Sequence, residues 1–211
     1  HRGRGEHSHG RDMLLEAGRK GLLTIGSSIP TFESQITSAL EPGAPHPELR
    51  YRYLQKFADA GVPVFVSMSP TYPTLTQKSV RAYLARFDEL DPGVIFHEPI
   101  NPRGSNFEAS AKAANEAGLQ ELGTRLAELG KNEDKWARYA IGQFRHVQQA
   151  AADSNVPIHR WPDPSLPKKD AVADRERIWL QKWLFRQSPE EFPGRNTTTE
   201  MPALPATLTS Y

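Results

Sequence analysis

Three short apolar runs recur along the first half of the chain, and each ends on polar residues. They occupy 21–28 (GLLTIGSS), 61–70 (GVPVFVSMSP) and 93–99 (GVIFHEP). Runs this short, bounded by Gly and Pro, predict buried strands. Between them the apolar period changes. Leu49, Tyr53, Leu54, Phe57 and Ala58 recur at steps of three and four, which predicts a helix opened by Pro47 and closed by Gly61. Val80, Tyr83, Leu84, Phe87 and Leu90 do the same over 77–90, behind Thr76 as N-cap. Phe32, Ile36, Ala39 and Leu40 make a shorter stripe, with Thr31 as its N-cap. Strand and helix periods in alternation predict parallel β/α units and an α/β fold.

The second half is richer in helix. Helices are predicted over 107–117 and 119–129, separated at Gly118, and over 133–152 behind Asn132. The longest carries Trp136, Tyr139, Ala140, Phe144, Val147 and Ala151 on one face. A further short strand is predicted within 155–162, and a last helix over 168–186 with Val172, Ile178, Trp179 and Trp183 inward. The stretches 58–64 (ADAGVPV) and 152–158 (ADSNVPI) use the same helix exit, Gly61 or Asn155 in a left-handed turn followed by Val-Pro. At the N-terminus, 1–12 reads as a disordered or tag-like tail, with a metal-binding tract of His1, His7 and His9 as the alternative reading. A short helix follows over 12–20, with Met13, Leu14 and Ala17 on one face. The domain organisation expected is one α/β domain over 13–187 with helical C-terminal parts, then an extended or disordered tail over 188–211. Asn196-Thr197-Thr198 matches a glycosylation triplet, but nothing else argues for secretion.

Composition narrows the chemistry. There is no cysteine among 211 residues, which excludes disulfides, thiolate metal sites and a cysteine nucleophile. With 26 basic and 25 acidic residues the net charge is +1, so no basic field points to nucleic acid or to an anionic membrane. No apolar run approaches the roughly 20 residues of a membrane span. No export signal is visible, which makes the cytoplasm the expected compartment. A start at His1 rather than Met predicts a processed, tagged or partial chain.

In parallel β/α folds ligands bind at the C-terminal ends of the strands. The candidates are therefore Ser27 and Ser28, then Met68 and Ser69 within 67–70, then His97, Glu98 and Asn101 with Arg103 and Asn106 beyond them. The serines suit a ribose, carboxylate or phosphate, or simply a turn. His97 suits a general base, a ligand contact or a buried hydrogen-bonded ring. Neighbouring residues of a strand point to opposite faces, so His97 and Glu98 share a mouth only if the strand has ended there. Ser28, Ser69 and His97 are expected to converge on one pocket. Glu41 and Arg50 either fix the Pro-rich loop between them or face a ligand. His146 falls on the polar side of its helix. No metal-ligand spacing, Gly-rich phosphate motif or nucleophile elbow occurs.

The ordered set Ser28-Ile29-Pro30-Thr31, Ala39-Leu40-Glu41-Pro42-Gly43-Ala44-Pro45, Glu48-Leu49-Arg50, Ala60-Gly61-Val62-Pro63-Val64 and Pro70-Thr71-Tyr72-Pro73 resembles the second half of radical S-adenosylmethionine enzymes, in the branch similar to spore photoproduct lyase. The likeness covers 21 to about 104. It implies a partial (β/α) barrel of three to four parallel strands, followed by C-terminal helices. It also implies S-adenosylmethionine as cofactor. Ser28 matches the polar residue after the family's fourth strand that contacts the cofactor. Met68 and Ser69 match the fifth-strand end, whose backbone lies near adenine, and His97, Glu98 and Asn101 match the sixth-strand end on the adenine side. The three cysteines that hold the family's [4Fe–4S] cluster are absent, and so are the first three strands. By the resemblance, a cluster belongs only to a missing N-terminal half-barrel, present in cis or as another chain, and this chain alone is inactive. Two other functions fit the same residues: a non-catalytic half-barrel that docks a partner through its sheet edge, and an unrelated β/α enzyme acting on a sugar or nucleotide. No residue pattern names the substrate.

Overall fold

In a computed structural model of the protein, four parallel strands form one sheet in the order of the chain: β1 (Ile25–Ser28), β2 (Val64–Thr71), β3 (Ile95–Pro99) and β4 (Ile158–Arg160). The structure describes residues 4–152 and 154–186. The helices are α1 (Arg4–Arg19), α2 (Ser34–Leu40), α3 (Pro47–Ala58), α4 (Gln77–Ala85), α5 (Asn106–Glu116), α6 (Gln120–Lys131), α7 (Glu133–Ala151) and α8 (Asp174–Arg186). Each strand lies beside the one before it, so every connection steps the same way across the sheet. Parallel crossovers are right-handed, and equal steps therefore place the connecting helices on the same face. Burial follows that rule. Val64, Val66, Met68, Ile95 and His97 are buried, while Phe65, Ser67, Ser69, Phe96 and Glu98 between them are only half-buried. The fold is α/β, a singly wound segment of a β/α architecture.

The core has two parts. Ile29, Leu54, Val64, Val66, Met68, Val80, Leu84, Phe87 and Ile95 pack between the covered sheet face and its helices. Phe107, Leu122, Leu126, Trp136, Phe144, Leu166 and Leu180 form the second part among the later helices. Helix α7 joins them, with Val147 in the first and Trp136 and Phe144 in the second. Each fully buried aliphatic or aromatic side chain stabilises the fold by about 1.5–3 kcal/mol.

Local sequence sets most helix ends. Thr76 and Ser79 form a reciprocal capping box at α4, and Asn132 Oδ1 accepts from Lys135 N at 2.9 Å at α7. Pro47 opens α3 behind His46, whose Nδ1 accepts from Glu48 N. Gly61 takes φ +78° after α3, as its position predicts.

Several expectations are corrected. Thr31 does not cap α2; its hydroxyl accepts from Glu33 N in a tight turn, and Glu33 holds the cap position. Asn155 is not left-handed, since Asp91 is the non-glycine residue with positive φ among the described residues. Ser154 Oγ instead accepts from Val156 N and turns the chain. The tail expected over 1–12 is helical from Arg4, because no proline interrupts 4–19 and a glycine costs a helix only about 1 kcal/mol. Strand β1 begins at Ile25, leaving Leu22 70% exposed before it. Strand β2 passes Pro70 and ends at Thr71. Met13, Leu14, Leu49, Tyr53 and Ile178, expected inward, are exposed, because each helix meets its neighbours over a narrower stripe than its apolar positions cover. The tail expected over 188–211, with its glycosylation triplet, lies outside the described residues. Among the described residues no helix is long and apolar enough to cross a membrane.

Helix α1 is fixed through Gly18, whose backbone lies against the buried side chain of Val62, and through Arg19 Nε, which donates to Ala60 O at 3.0 Å. A methyl group at position 18 overlaps Val62. Alanine is the better helix former, yet Gly18→Ala is expected to lower stability by about 1–3 kcal/mol through overpacking. A urea midpoint unchanged or raised in that variant contradicts this packing.

Candidate functional site

The strand ends on the uncovered face are tied into one polar chain. Ser28 Oγ on β1 donates to Ser69 O at 3.0 Å, and Ser69 Oγ donates to Glu98 Oε2 at 3.1 Å. Asn101 Nδ2 donates to Glu98 Oε1 at 2.9 Å. Asn101 Oδ1 in turn accepts from Arg103 N at 3.2 Å and from Asn106 Nδ2 at 3.3 Å. Each oxygen of Glu98 thus accepts one bond and keeps a lone pair for another donor. Ser28 is exposed, and Ser69, Glu98 and Asn101 are half-buried, so the cluster is open to a ligand.

Beneath this chain, on the same face, lies an aromatic layer. The Phe65 ring lies over Gly26, where a Cβ would overlap it. Phe65 meets Phe96 edge-on at 5.6 Å between centroids, and Phe96 meets His159 at 5.4 Å. Trp161, 5.5 Å from His159, continues the row, and Trp183 of α8 packs on His159 at 4.8 Å. These rings are spread over three strands and a helix, and no single stretch of sequence announces them.

Two clamps hold the strand ends. Arg50 donates from Nη1 to Ser28 O and from Nε to Pro45 O, each at 2.6 Å, while Nη2 pairs with the Glu41 carboxylate. The Arg50 and Glu41 side chains are 11% and 19% exposed, and the geometry makes them a loop-fixing pair rather than ligand contacts. From the other side, α7 bonds three carbonyls, one at the end of β2 and two in the loops beyond β2 and β3. Tyr139 OH donates to Thr71 O, Trp136 Nε1 to Ile100 O at 2.9 Å, and Gln143 Nε2 to Leu75 O at 3.1 Å. Arg103 Nε reaches Asp163 Oδ2 at 3.0 Å, and Asp163 Oδ1 accepts from Ser165 N and Oγ, joining the loops after β3 and β4.

Met68 and His97 do not belong to this cluster. Both are 0% exposed and point into the helix-covered face. Strand β3 continues to Pro99, so the two-residue alternation still operates at His97 and sends it away from Glu98. Its Nε2 lies 3.2 Å from Thr71 Oγ1 and its ring meets Phe144 edge-on at 5.4 Å. Burial, with Arg160 nearby, pushes its pKa down to about 3, so the ring is neutral. The single pocket expected from Ser28, Ser69 and His97 is therefore not formed; Ser28 and Ser69 join Glu98 and Asn101, and Met68 offers only backbone. Ser27, on the alternate position to Ser28, also faces away. His146, expected on a solvated face, is half-buried with Nδ1 shielded.

The arrangement presents hydroxyls, an amide and a carboxylate, which suit a neutral polyhydroxylated or amine-bearing ligand. Among the described residues no group of three or more His, Asp or Glu could hold a metal. A shallow groove between α2 and the α5–α6 turn, bordered by Ser34, Gln35 and Leu119, carries no titratable side chain. No family model matches the chain, and comparison with curated proteins and with solved structures found no match.

Two outcomes test this geometry. An unfolded imidazole takes up a proton near pH 6.5, whereas His97 in the fold stays neutral to about pH 3. Below pH 6.5 the unfolded state holds the extra proton, so native stability falls with pH, by at most about 1.4 kcal/mol per unit from this group, and shows no such slope above pH 6.5. The difference in urea stability between the protein and His97→Gln, followed from about pH 7 to 4, is expected to show that slope; parallel curves contradict a neutral buried His97. Arg50→Met leaves the Glu41 carboxylate and two carbonyls without their donor and is expected to cost about 3 kcal/mol in the same assay. Arg50→Lys does not restore it, because one ammonium cannot span three acceptors.

Proposed function

We propose that the chain supplies the adenosyl-side, C-terminal half of a radical S-adenosylmethionine barrel. One observation carries the reading: Ser28, Ser69, Glu98 and Asn101 form a connected cluster at the C-terminal ends of parallel strands, on the sheet face opposite the connecting helices. In a closed β/α barrel that face is the lumen and those ends are its mouth. The aromatic layer under the cluster is the filled floor such a lumen requires. The ordered likeness of 21–104 to the family supplies the cofactor. Glu98 and the two serine hydroxyls suit the ribose hydroxyls, and the Asn101 amide suits an adenine edge. His97 and the Met68 side chain take no part.

The residues fit the adenosyl moiety but not an iron–sulfur cluster, since the chain offers no thiolate. In this reading a cluster is held by a cysteine-bearing half-barrel, in cis or as another chain. Bound there, S-adenosylmethionine supplies a 5′-deoxyadenosyl radical. This chain's own residues orient the ribose and close the mouth with the loops after β2 and β3.

Half a pocket binds weakly. Titration of the labelled chain with S-adenosylmethionine, followed by amide NMR, is expected to shift residues 27–29, 67–70 and 98–103, with a Kd of about 1 mM. Ser69→Ala combined with Glu98→Ala is expected to weaken that binding about tenfold. No saturable shift at those positions, or shifts centred on the groove by Ser34 and Leu119, overturns the reading.

The free outer edge of β1, with Leu22, Leu14 and Met13 exposed near it in sequence, favours a second reading in which the half-barrel is a non-catalytic docking module. That reading expects no shift with S-adenosylmethionine.

A further inference from the structure

Trp161 stands next to Glu98 at the open strand ends. Its backbone N donates to His97 O at 2.7 Å. That bond carries the β3–β4 register, in which His97 faces Arg160, one residue further and sets Trp161 beside Glu98. Phe96 and Glu98 share the half-buried face of β3. The Trp161 ring meets Phe96 at 6.2 Å between centroids and His159 at 5.5 Å, so the indole lies on the face of the Glu98 carboxylate. These two rings fix its orientation, yet it is 40% exposed, whereas Trp136, Trp179 and Trp183 are buried.

Glu98 has no counter-charge among the described residues. Its two hydrogen bonds come from neutral donors, Ser69 Oγ and Asn101 Nδ2. The two carboxylates that brace the neighbouring loops, Glu41 and Asp163, each pair with an arginine, Arg50 and Arg103. Arg103 is the basic residue of the Glu98 loop itself, and its Nε is spent on Asp163. The neutral donors therefore orient the Glu98 carboxylate without neutralising it, and each oxygen keeps a lone pair. An indole face beside an oriented carboxylate attracts a cation twice, through the ring quadrupole and through the charge. A neutral polyol uses the lone pairs but not the charge, and an anion is repelled. A primary ammonium on an alkyl stem uses all three features: it has donors for the lone pairs, a charge for the carboxylate and methylenes for the ring.

We propose that Glu98 and Trp161 form a subsite for the primary ammonium group of an alkylamine substrate, the ammonium donating to Glu98 and its first methylenes lying on the indole. With one free lone pair on each oxygen, Glu98 serves a ribose hydroxyl and the ammonium together. The subsite lies at the β3–β4 end of the mouth, and the Ser28–Ser69 end lies on β1 and β2. Its role as a substrate site rests on the function proposed above; the binding itself does not.

Amide and indole NMR of the labelled full chain, titrated with n-butylammonium at fixed ionic strength, tests the subsite. Saturable shifts are expected at the Trp161 indole N–H and at the Glu98 and Trp161 amides, with a Kd of about 10 mM. The neutral analogue 1-butanol is expected to bind about tenfold more weakly. Trp161→Leu is expected to weaken ammonium binding about threefold, and Glu98→Gln about tenfold. Glu98→Gln leaves the ring row intact, so the charge test stands even where Trp161→Leu fails to fold. No saturable shift, equal affinities for butylammonium and 1-butanol, or an undiminished response in Glu98→Gln overturns the proposal. Adenosine carries the ribose and base but no ammonium. Its shifts at Ser28 and Ser69 report the function proposed above, so that reading and this subsite fail separately.

Discussion

The two-residue alternation of side chains along β2 and β3, acting on a sheet wound in one direction, assigns every functional candidate in this protein. Because all crossovers step the same way, one face is buried under the connecting helices and the other is only half-buried. A strand residue's parity then fixes its environment. His97 and Glu98 are neighbours in the chain, yet one is a neutral ring in the core and the other a hydrogen-bonded carboxylate at an open strand end. The same parity separates Met68 from Ser69.

The strand ends stay in register because distant side chains bind their backbone. Arg50, on α3, grips the end of β1 through Ser28 O and the loop between α2 and α3 through Pro45 O. Tyr139, Trp136 and Gln143 lie on successive turns of α7; Tyr139 donates to Thr71 O at the end of β2, and the other two to Ile100 O and Leu75 O in the loops after β3 and β2. Loops at strand ends expose carbonyls that no ladder satisfies, and a donor from a packed helix both satisfies and positions them. Helix α7 also carries Phe144 and Gln148 against His97 and Arg160, so the polar mouth on one face and the buried pair on the other share one support.

Much of the site was legible and part was not, for a definite reason. The polar residues ending each apolar run pointed to Ser28, Ser69, Glu98 and Asn101, and these are the residues the structure connects. Sequence position alone also groups Met68 and His97 with them, because it does not specify where β3 ends. Had the strand stopped before His97, parity would not have applied to it. The row from Phe65 to Trp161 was not legible, since its members come from strands far apart in the chain. The burial of Arg160 beside His97 was equally hidden, because it follows from the pairing of β4 with β3.

By itself the sequence determined the alternation of strands and helices, the parallel α/β class, the caps at Thr76 and Asn132, the turn at Gly61 and the absence of any thiolate chemistry. Those depend on periodicity, on local backbone preference and on composition, all of which act within a few residues. Which apolar positions are buried, where β1 begins and β3 ends, and which of two adjacent polar residues meets solvent were decided by tertiary structure. They depend on which helix covers which face, and that is fixed only when strands distant in the chain have paired.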